Sequence, residues 1–339
     1  MVYLRMLLTK TQESGSFLWN HFERKFGFRK IVRVTALLCG FVLTAAAQVA
    51  FQASAGRIEI RIDGKPFSNL YYGSEWPQPF LHPLRAASGL TVTRGYPVEQ
   101  IAGESQDHIW HHGLWFAHGD INGVDFWRDR GADVTGRMVA AKKPEAGGDA
   151  LSGLFRLAAP GNEILGSIEE TFRFRADRQL RIIDVHVRIR ADQGKPLKFG
   201  DTEEGALGIR LRDEFREDRG AVLSNSEGLA GSKNIWGRRA KWVDYATTIG
   251  GEKLGVIILD HPGNPKHPTY WHARNYGLCA ANPFGEHDFL KDPSRDGSVT
   301  VPAGGSMSLR YRVIVHPGAL DPGQASEWFA AFEKEKQDQ

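Results

Sequence analysis

From residue 57 onward, apolar and polar side chains alternate with a period of two in segment after segment. Ile58, Ile60 and Ile62 alternate with Glu59 and Arg61, and Phe172 and Phe174 with Arg173 and Arg175. Ile183, Val185, Val187 and Ile189 alternate with Asp184, His186 and Arg188; Met307, Leu309, Tyr311, Val313 and Val315 alternate with Ser308, Arg310 and Arg312. Successive side chains of a strand point to opposite faces, so each run predicts a half-buried strand with one wet face. Val256 to Leu259 is continuously apolar and fits a strand covered on both sides. Asp63-Gly64, Pro262-Gly263-Asn264 and Ala303-Gly304-Gly305 are turn signals between such runs. Helical periodicity is nearly absent until Asp321-Pro322, where a capping residue and a proline predict a helix start. Trp328, Phe329 and Phe332 give that helix an apolar face, and Glu333 to Gln339 form a polar tail. The pattern predicts an all-β fold: a large antiparallel β-sandwich as a single domain over residues 56–320, with a short C-terminal helix and polar tail in 321–339. No repeat of solenoid or propeller spacing is present, and the Gly-rich loop around Pro144 to Asp149 is too short for a domain linker.

The N-terminal segment breaks the pattern. Arg29, Lys30 and Arg33 precede an apolar run from Val34 to Thr44, and Ala45-Ala46-Ala47 follows it. A positive region, an apolar stretch of this length and small residues after it make an export signal. The run is too short to span a bilayer comfortably. The expectation is a leader and signal peptide over residues 1–47, cleaved near Ala47 or, alternatively, near Ala55, leaving a periplasmic or secreted protein with no membrane span. An uncleaved N-terminal anchor is the competing reading. Cys39 follows Leu38, which does not suit a lipid-attachment site. Cleavage leaves Cys279 as the one cysteine, flanked by Leu278 and Ala280, which reads as a small buried apolar residue. With 339 residues and a formal net charge of only +3, the basic residues are dispersed among acidic ones, and nucleic acid is not expected as a partner.

Histidine and tryptophan cluster. Asp107 to Asp120 holds four histidines and two tryptophans and runs on through Asn122, Asp125 and Trp127. A second cluster runs from His261 through His267, Tyr270, Trp271 and His272 to Arg274, Tyr276, Asn282 and His287. Between them lie Glu203 and Glu204, then Trp242, Asp244 and Tyr245. A sandwich does not need such polar-aromatic density for stability, because buried histidines and carboxylates cost free energy unless paired. A ligand pocket explains it.

Three readings of the pocket follow. The first is a sugar site. The C–H faces of a pyranose stack on Trp110, Trp115, Trp127 and Trp271, and its hydroxyls pair with Asp120, Asn122, Asp125, Tyr245, Arg274, Tyr276 and Asn282. A base from Glu203 or Glu204, with His112, His118 or His272 as acid, makes a proton-transfer pair. Adjacent glutamates on a strand face opposite ways, so one of the two is expected in the pocket. The second is one divalent metal ion on His108 and His111 or His112, completed by His267, His272 or a carboxylate, although no strict ligand motif is present. The third is glycan binding without catalysis. His186, His316, Arg210 and Arg212 are expected at the surface.

The stretch from His108 to Trp127, with Pro268-Thr269-Tyr270-Trp271-His272-Ala273-Arg274-Asn275-Tyr276-Gly277 and Ala281-Asn282-Pro283-Phe284-Gly285, resembles a family of exported bacterial proteins labelled PmoA-like, or "methane oxygenase PmoA". The resemblance spans Leu70 to His316. Its label implies a methane monooxygenase subunit, which is built from several transmembrane helices. The chain has no apolar run of spanning length after residue 55, so that activity is not carried over. More distantly, the inferred architecture is similar to the galactose-mutarotase-like supersandwich. That resemblance implies a Glu base and His acids on the concave face of a long sheet, roles open here to Glu203 or Glu204 and to His112, His118 or His272.

Overall fold

The computed structural model describes residues 48–335, all within the compact unit Ala46–Gln339. The expected leader over residues 1–47 and the last four residues of the polar tail lie outside the described residues. Strands dominate, and every pairing between them is antiparallel. An eight-stranded sheet runs in the order Val49–Ser54, Arg57–Ile62, Lys65–Tyr71, Phe80–Leu81, Leu114–His118, Gly205–Arg210, Leu278–Asn282, Tyr270–Ala273. A nine-stranded sheet runs Val222–Asn225, Trp242–Ile249, Glu252–Asp260, Ser306–Pro317, Leu180–Arg190, Ile164–Asp177, Ala150–Ala158, Arg137–Ala140, with Glu145–Gly147 also paired to Ala150–Ala158. Leu197–Phe199 and Val299–Val301 form a separate two-stranded sheet.

The period-two runs are strands in the expected phase. Ile58, Ile60 and Ile62 of one sheet and Phe172, Val185 and Val313 of the other are buried in one core between the two sheets. The continuous run Val256–Leu259 is buried throughout, inside Glu252–Asp260. The second face of that strand is covered by the C-terminal helix, Pro322–Glu333. Asp321 caps this helix by accepting a hydrogen bond from the Gly323 amide at 2.9 Å, and proline occupies its first turn. Ala325, Phe329 and Phe332 pack on Trp242, Ile257, Leu259 and Ile314, on the outer face of the nine-stranded sheet. Cys279 is buried, as its apolar neighbours suggest. Among the described residues no helix is long and apolar enough to cross a membrane.

The outer face of the eight-stranded sheet is roofed by loops. Phe80, Trp115, Ala117, Trp127, Leu278 and Ala280 form a third buried cluster there, flanked by Tyr71, Trp76, Val98, Trp110 and Tyr276. That face carries most of the residues with chemistry.

Candidate functional site

Strand alternation sorts the site residues. In Leu114–His118, Leu114 and Phe116 enter the core between the sheets while Trp115 and Ala117 face outward. In Leu278–Asn282, Cys279 and Ala281 face inward and Leu278 and Ala280 outward. Gly208 sits under this layer. A Cβ there would come within 2.8 Å of both the Trp115 and Trp127 rings, so the absent side chain is what lets the two indoles lie against the strand.

Over that floor, two fully buried arginines hold one carboxylate. Arg94 Nη1 donates to Asp107 Oδ1 at 3.0 Å, and Arg210 Nη2 donates to its two oxygens at 2.8 and 3.0 Å. Arg94 also donates to the backbone carbonyls of Asp107 (2.7 Å) and His108 (3.0 Å), fixing the chain at those two residues. Burial pushes the Arg94 guanidinium down to about 10, with the neighbouring Arg210 adding to the effect. Burial alone would raise the Asp107 carboxyl. The hydrogen bond with His108 and the charges of Arg210 and Arg94 outweigh it and hold Asp107 well below the usual carboxylate range.

Asp107 in turn orients His108, whose Nδ1 is hydrogen-bonded to Asp107 Oδ2. An ionised carboxylate only accepts, so Nδ1 carries a proton toward Asp107, which fixes Nε2 as the lone-pair nitrogen of the neutral tautomer. The His108 ring lies parallel to His111 (centroids 4.8 Å apart) and to Tyr276 (5.3 Å), with Trp110 edge-on at 5.5 Å. Tyr276 covers the Arg210 guanidinium, 4.6 Å from its centroid. His108 remains 38% exposed at its side chain. His111 is closed off by contrast. Its Nδ1 accepts from Arg210 at 3.3 Å, and burial with the adjacent Arg210 drives it well below the ordinary histidine range.

Both glutamates border this face. They lie in the bend before Gly205–Arg210 rather than in the strand, so the expected alternation does not separate them. Glu204 Oε1 accepts from Arg128 Nη2 at 2.8 Å, and Arg128 Nη1 also donates to Asp125 at 3.1 Å. Asp125 fixes the loop by accepting from the Trp127 and Arg128 amides. Burial raises the Glu204 carboxyl against the pull of Arg128. Burial likewise raises Glu203, opposed by Arg274. His272 Nδ1 donates to the Glu203 carbonyl at 2.9 Å, and burial lowers its pKa to about 4. Asn282 holds the same bend by donating to the Thr202 carbonyl at 2.8 Å.

The structure thus brings together Trp110, His108, His111, Trp115, Asp125, Trp127, Glu203, Glu204, His272, Arg274 and Tyr276. It assigns several expected site residues to scaffolding instead. Trp115 and Trp127 are fully buried and form the floor rather than stacking platforms. His112 lies between Trp76 and Phe80, 2% exposed, and burial lowers it to about 3. His118 points into the core beside Phe199 and Phe284, its Nε2 donating to the Gly200 carbonyl at 2.8 Å. Trp271 is also in the core, with Nε1 donating to Ala240 O. Tyr245 is buried in the core and donates to Leu278 O at 2.7 Å. Asp120 and Asn122 shape a turn: Asp120 accepts from Gly123 N, and Asn122 bonds to Pro196 O and Lys198 N. Asn282 is fully buried and serves the bend. Arg210, expected at the surface, is fully buried, and His316, also expected there, is buried against Asp244 at 2.9 Å. Arg94, Arg128 and the role of Asp107 were not anticipated; an acid directly preceding a histidine in the His-rich stretch was the available signal.

The expected metal set does not assemble. His267 lies against Asp260 (2.7 Å) and Phe329, under the C-terminal helix, and lines the cleft beside that helix, which none of His108, His111 or His112 lines. The Nδ1 atoms of His108 and His111 already bond Asp107 and Arg210. Among the described residues, no group of three or more His, Cys, Asp or Glu side chains is placed to hold a metal ion. Two open clefts lie elsewhere. One of about 520 Å³ lies on the outer face of the nine-stranded sheet and one of about 790 Å³ beside the C-terminal helix, and neither is lined by the Asp107–His108 cluster. The paired buried charges and the oriented imidazole are the better guide, because they are costly to build and cleft volume is not.

Residues 57–330 match the model of DUF6807, described as a family of unknown function. That description names no activity, so the methane-oxygenase label stays with the resemblance alone. No curated protein matches the chain. Among solved structures, the chain is similar to a heparan sulfate lyase mutant from Pedobacter heparinus, with TM-score 0.38 and 11% identity over 81% of this chain and 37% of that one. It is similar to a galactose mutarotase-like protein from Lactobacillus casei, with TM-score 0.36 and 10% identity over 79% and 100%. A GH36 alpha-galactosidase from Geobacillus stearothermophilus gives TM-score 0.35 and 11% identity over 80% and 41%. The chain therefore spans well under half the length of the lyase and the galactosidase.

Proposed function

The chain belongs to the DUF6807 family, a family of unknown function, and we propose that it is a carbohydrate-active protein whose chemistry is proton transfer at a sugar carbon. The observation that carries this reading is the Asp107–His108 pair. A half-exposed imidazole is backed by a carboxylate that two buried arginines keep ionised. Such backing fixes the tautomer and stabilises the imidazolium formed when Nε2 takes a proton. The carboxyls of Glu203 and Glu204, raised by burial, supply a partner able to give or take the second proton. Trp110 and Tyr276 offer half-buried aromatic faces beside His108, and Arg274 offers hydrogen-bond donors for hydroxyls. In this reading His108 takes the histidine role first given to His112, His118 or His272: the first two are buried in packing positions, and His272 is held through Nδ1 on the Glu203 carbonyl.

The test is hydrogen exchange with solvent. The protein is incubated in D2O with a panel of aldohexoses, N-acetylhexosamines, hexuronates and their disaccharides, and deuterium at each sugar carbon is followed by NMR. One panel member is expected to exchange at a single carbon, at a rate about a hundredfold lower in His108→Gln and in Glu204→Gln. Binding of a sugar with neither exchange nor product would replace the enzyme reading with glycan binding. Exchange undiminished in both variants would remove these residues from the chemistry.

A further inference from the structure

The outer face of the nine-stranded sheet, on the far side of the sandwich from Asp107 and His108, carries an arrangement that the proton-transfer reading does not use. Three adjacent antiparallel strands align their polar positions in rows. Asp184 pairs in register with Arg173 on one side and Arg312 on the other, and His186 pairs with Thr171 and Arg310. Of these, Thr171, Arg173, Asp184, His186 and Arg310 line, with Arg175 and Phe332, a cleft of about 520 Å³. The carboxylates serving it are already shared. Asp184 takes Arg175 and Arg312, and Asp149 lies 3.8 Å from Arg173. Among the described residues, no carboxylate is in hydrogen-bonding contact with Arg310, whose guanidinium bonds the neutral ring nitrogen of His261 (2.8 Å) and the Glu335 carbonyl (3.3 Å). Beside it, His186 Nε2 and Arg175 Nε are buried with no hydrogen-bond partner among the described residues.

The chain itself shows what the cleft accepts. Glu335, just past the C-terminal helix, sends its carboxylate to the rim, where Oε1 lies 3.1 Å from Arg175 Nη2 and 2.6 Å from Arg312 Nη2. A planar oxyanion matches the guanidinium fork in both charge and shape. We infer that this cleft is a second ligand site, which takes an oxyanion-bearing small molecule against Arg310, Arg175 and His186, with the Glu335 carboxylate as its internal competitor.

Isothermal titration of the protein with inorganic phosphate, sulfate and glucuronate tests this and separates the possible sources of the oxyanion. One-to-one binding of at least one of them is expected, about tenfold weaker in Arg310→Gln and tighter in Glu335→Gln. Arg310→Lys, which keeps the charge but loses the fork, is expected to bind less tightly than wild type and more tightly than Arg310→Gln, and His186→Gln serves as the second loss variant should Arg310→Gln unfold. No binding to wild type or to Glu335→Gln overturns the inference. So does binding that Arg310→Gln and His186→Gln leave unchanged. Neither readout depends on sugar turnover, so this site and the Asp107–His108 site fail or stand separately.

Discussion

Asp107 does two jobs at once, and its neighbours allow them to be separated. It is the counter-charge of two guanidinium groups that have no exposed surface, and it orients the half-exposed His108. Removing one partner of a buried ion pair leaves the other charge uncompensated, which costs about 3 kcal/mol. Asp107→Asn should therefore lower unfolding stability in urea by about that amount. His108→Gln touches an exposed ring and should cost less than about 1 kcal/mol. Equal stability of the two variants would mean that Asp107 is not what neutralises Arg94 and Arg210. The pair was only half legible in the sequence. The His-rich stretch stood out, yet nothing in its spacing told His108 from His112 or His118. Strict strand alternation would place His112 and His118 on one face, but Gly113 lies between them at φ +50°, and the chain turns there. His112 consequently joins the roofed outer layer and His118 the core. Arg210 was misplaced for a related reason: alternation tells which side of a strand a residue takes, not whether a loop covers that side.

At the level of elements, the strands with strict alternation and the capped C-terminal helix were readable because each is specified locally. Phe80–Leu81 and Glu145–Gly147 were not, since two- and three-residue strands carry too few positions to show a period. The first strand bears on export. Val49–Ser54 pairs along its whole length with Arg57–Ile62, from Val49 opposite Ile62 to Ser54 opposite Arg57. Val49 and Phe51 pack against the main core, and Phe51 meets Phe174 of the other sheet at 6.0 Å. We propose that, on export, the signal is cut after Ala47 and not after Ala55, because the later cut discards this strand and uncovers the Arg57–Ile62 edge. Mass spectrometry of the exported protein should find Gln48 as its first residue. A chain beginning at Gly56 would contradict the proposal.

For the whole molecule, the buried histidines set how stability follows pH. Burial lowers His82, His118, His261 and His272 to about 4 and His112 to about 3, against 6.5 in an exposed chain. Between those values the unfolded chain binds protons that the folded protein refuses, so each such histidine removes stability as pH falls from about 6.5 toward 4. The carboxyls of Glu170, Asp244 and Asp260, raised by burial, act in the opposite sense, because the folded protein takes up their protons first. A total stability curve mixes both groups, whereas the difference between wild type and a single variant isolates one. His118 is the cleanest choice: it has no exposed surface, and its one hydrogen bond, to Gly200 O, can be made by a neutral ring. A displacement from 6.5 to about 4 corresponds to about 3 kcal/mol lost by pH 4. His118→Gln does not titrate, and its own packing penalty is the same at every pH. Its deficit relative to wild type at pH 7 should accordingly shrink by about 3 kcal/mol when both are unfolded in urea at pH 4. A deficit that stays constant from pH 7 to pH 4 would mean that the pKa of His118 is the same folded and unfolded.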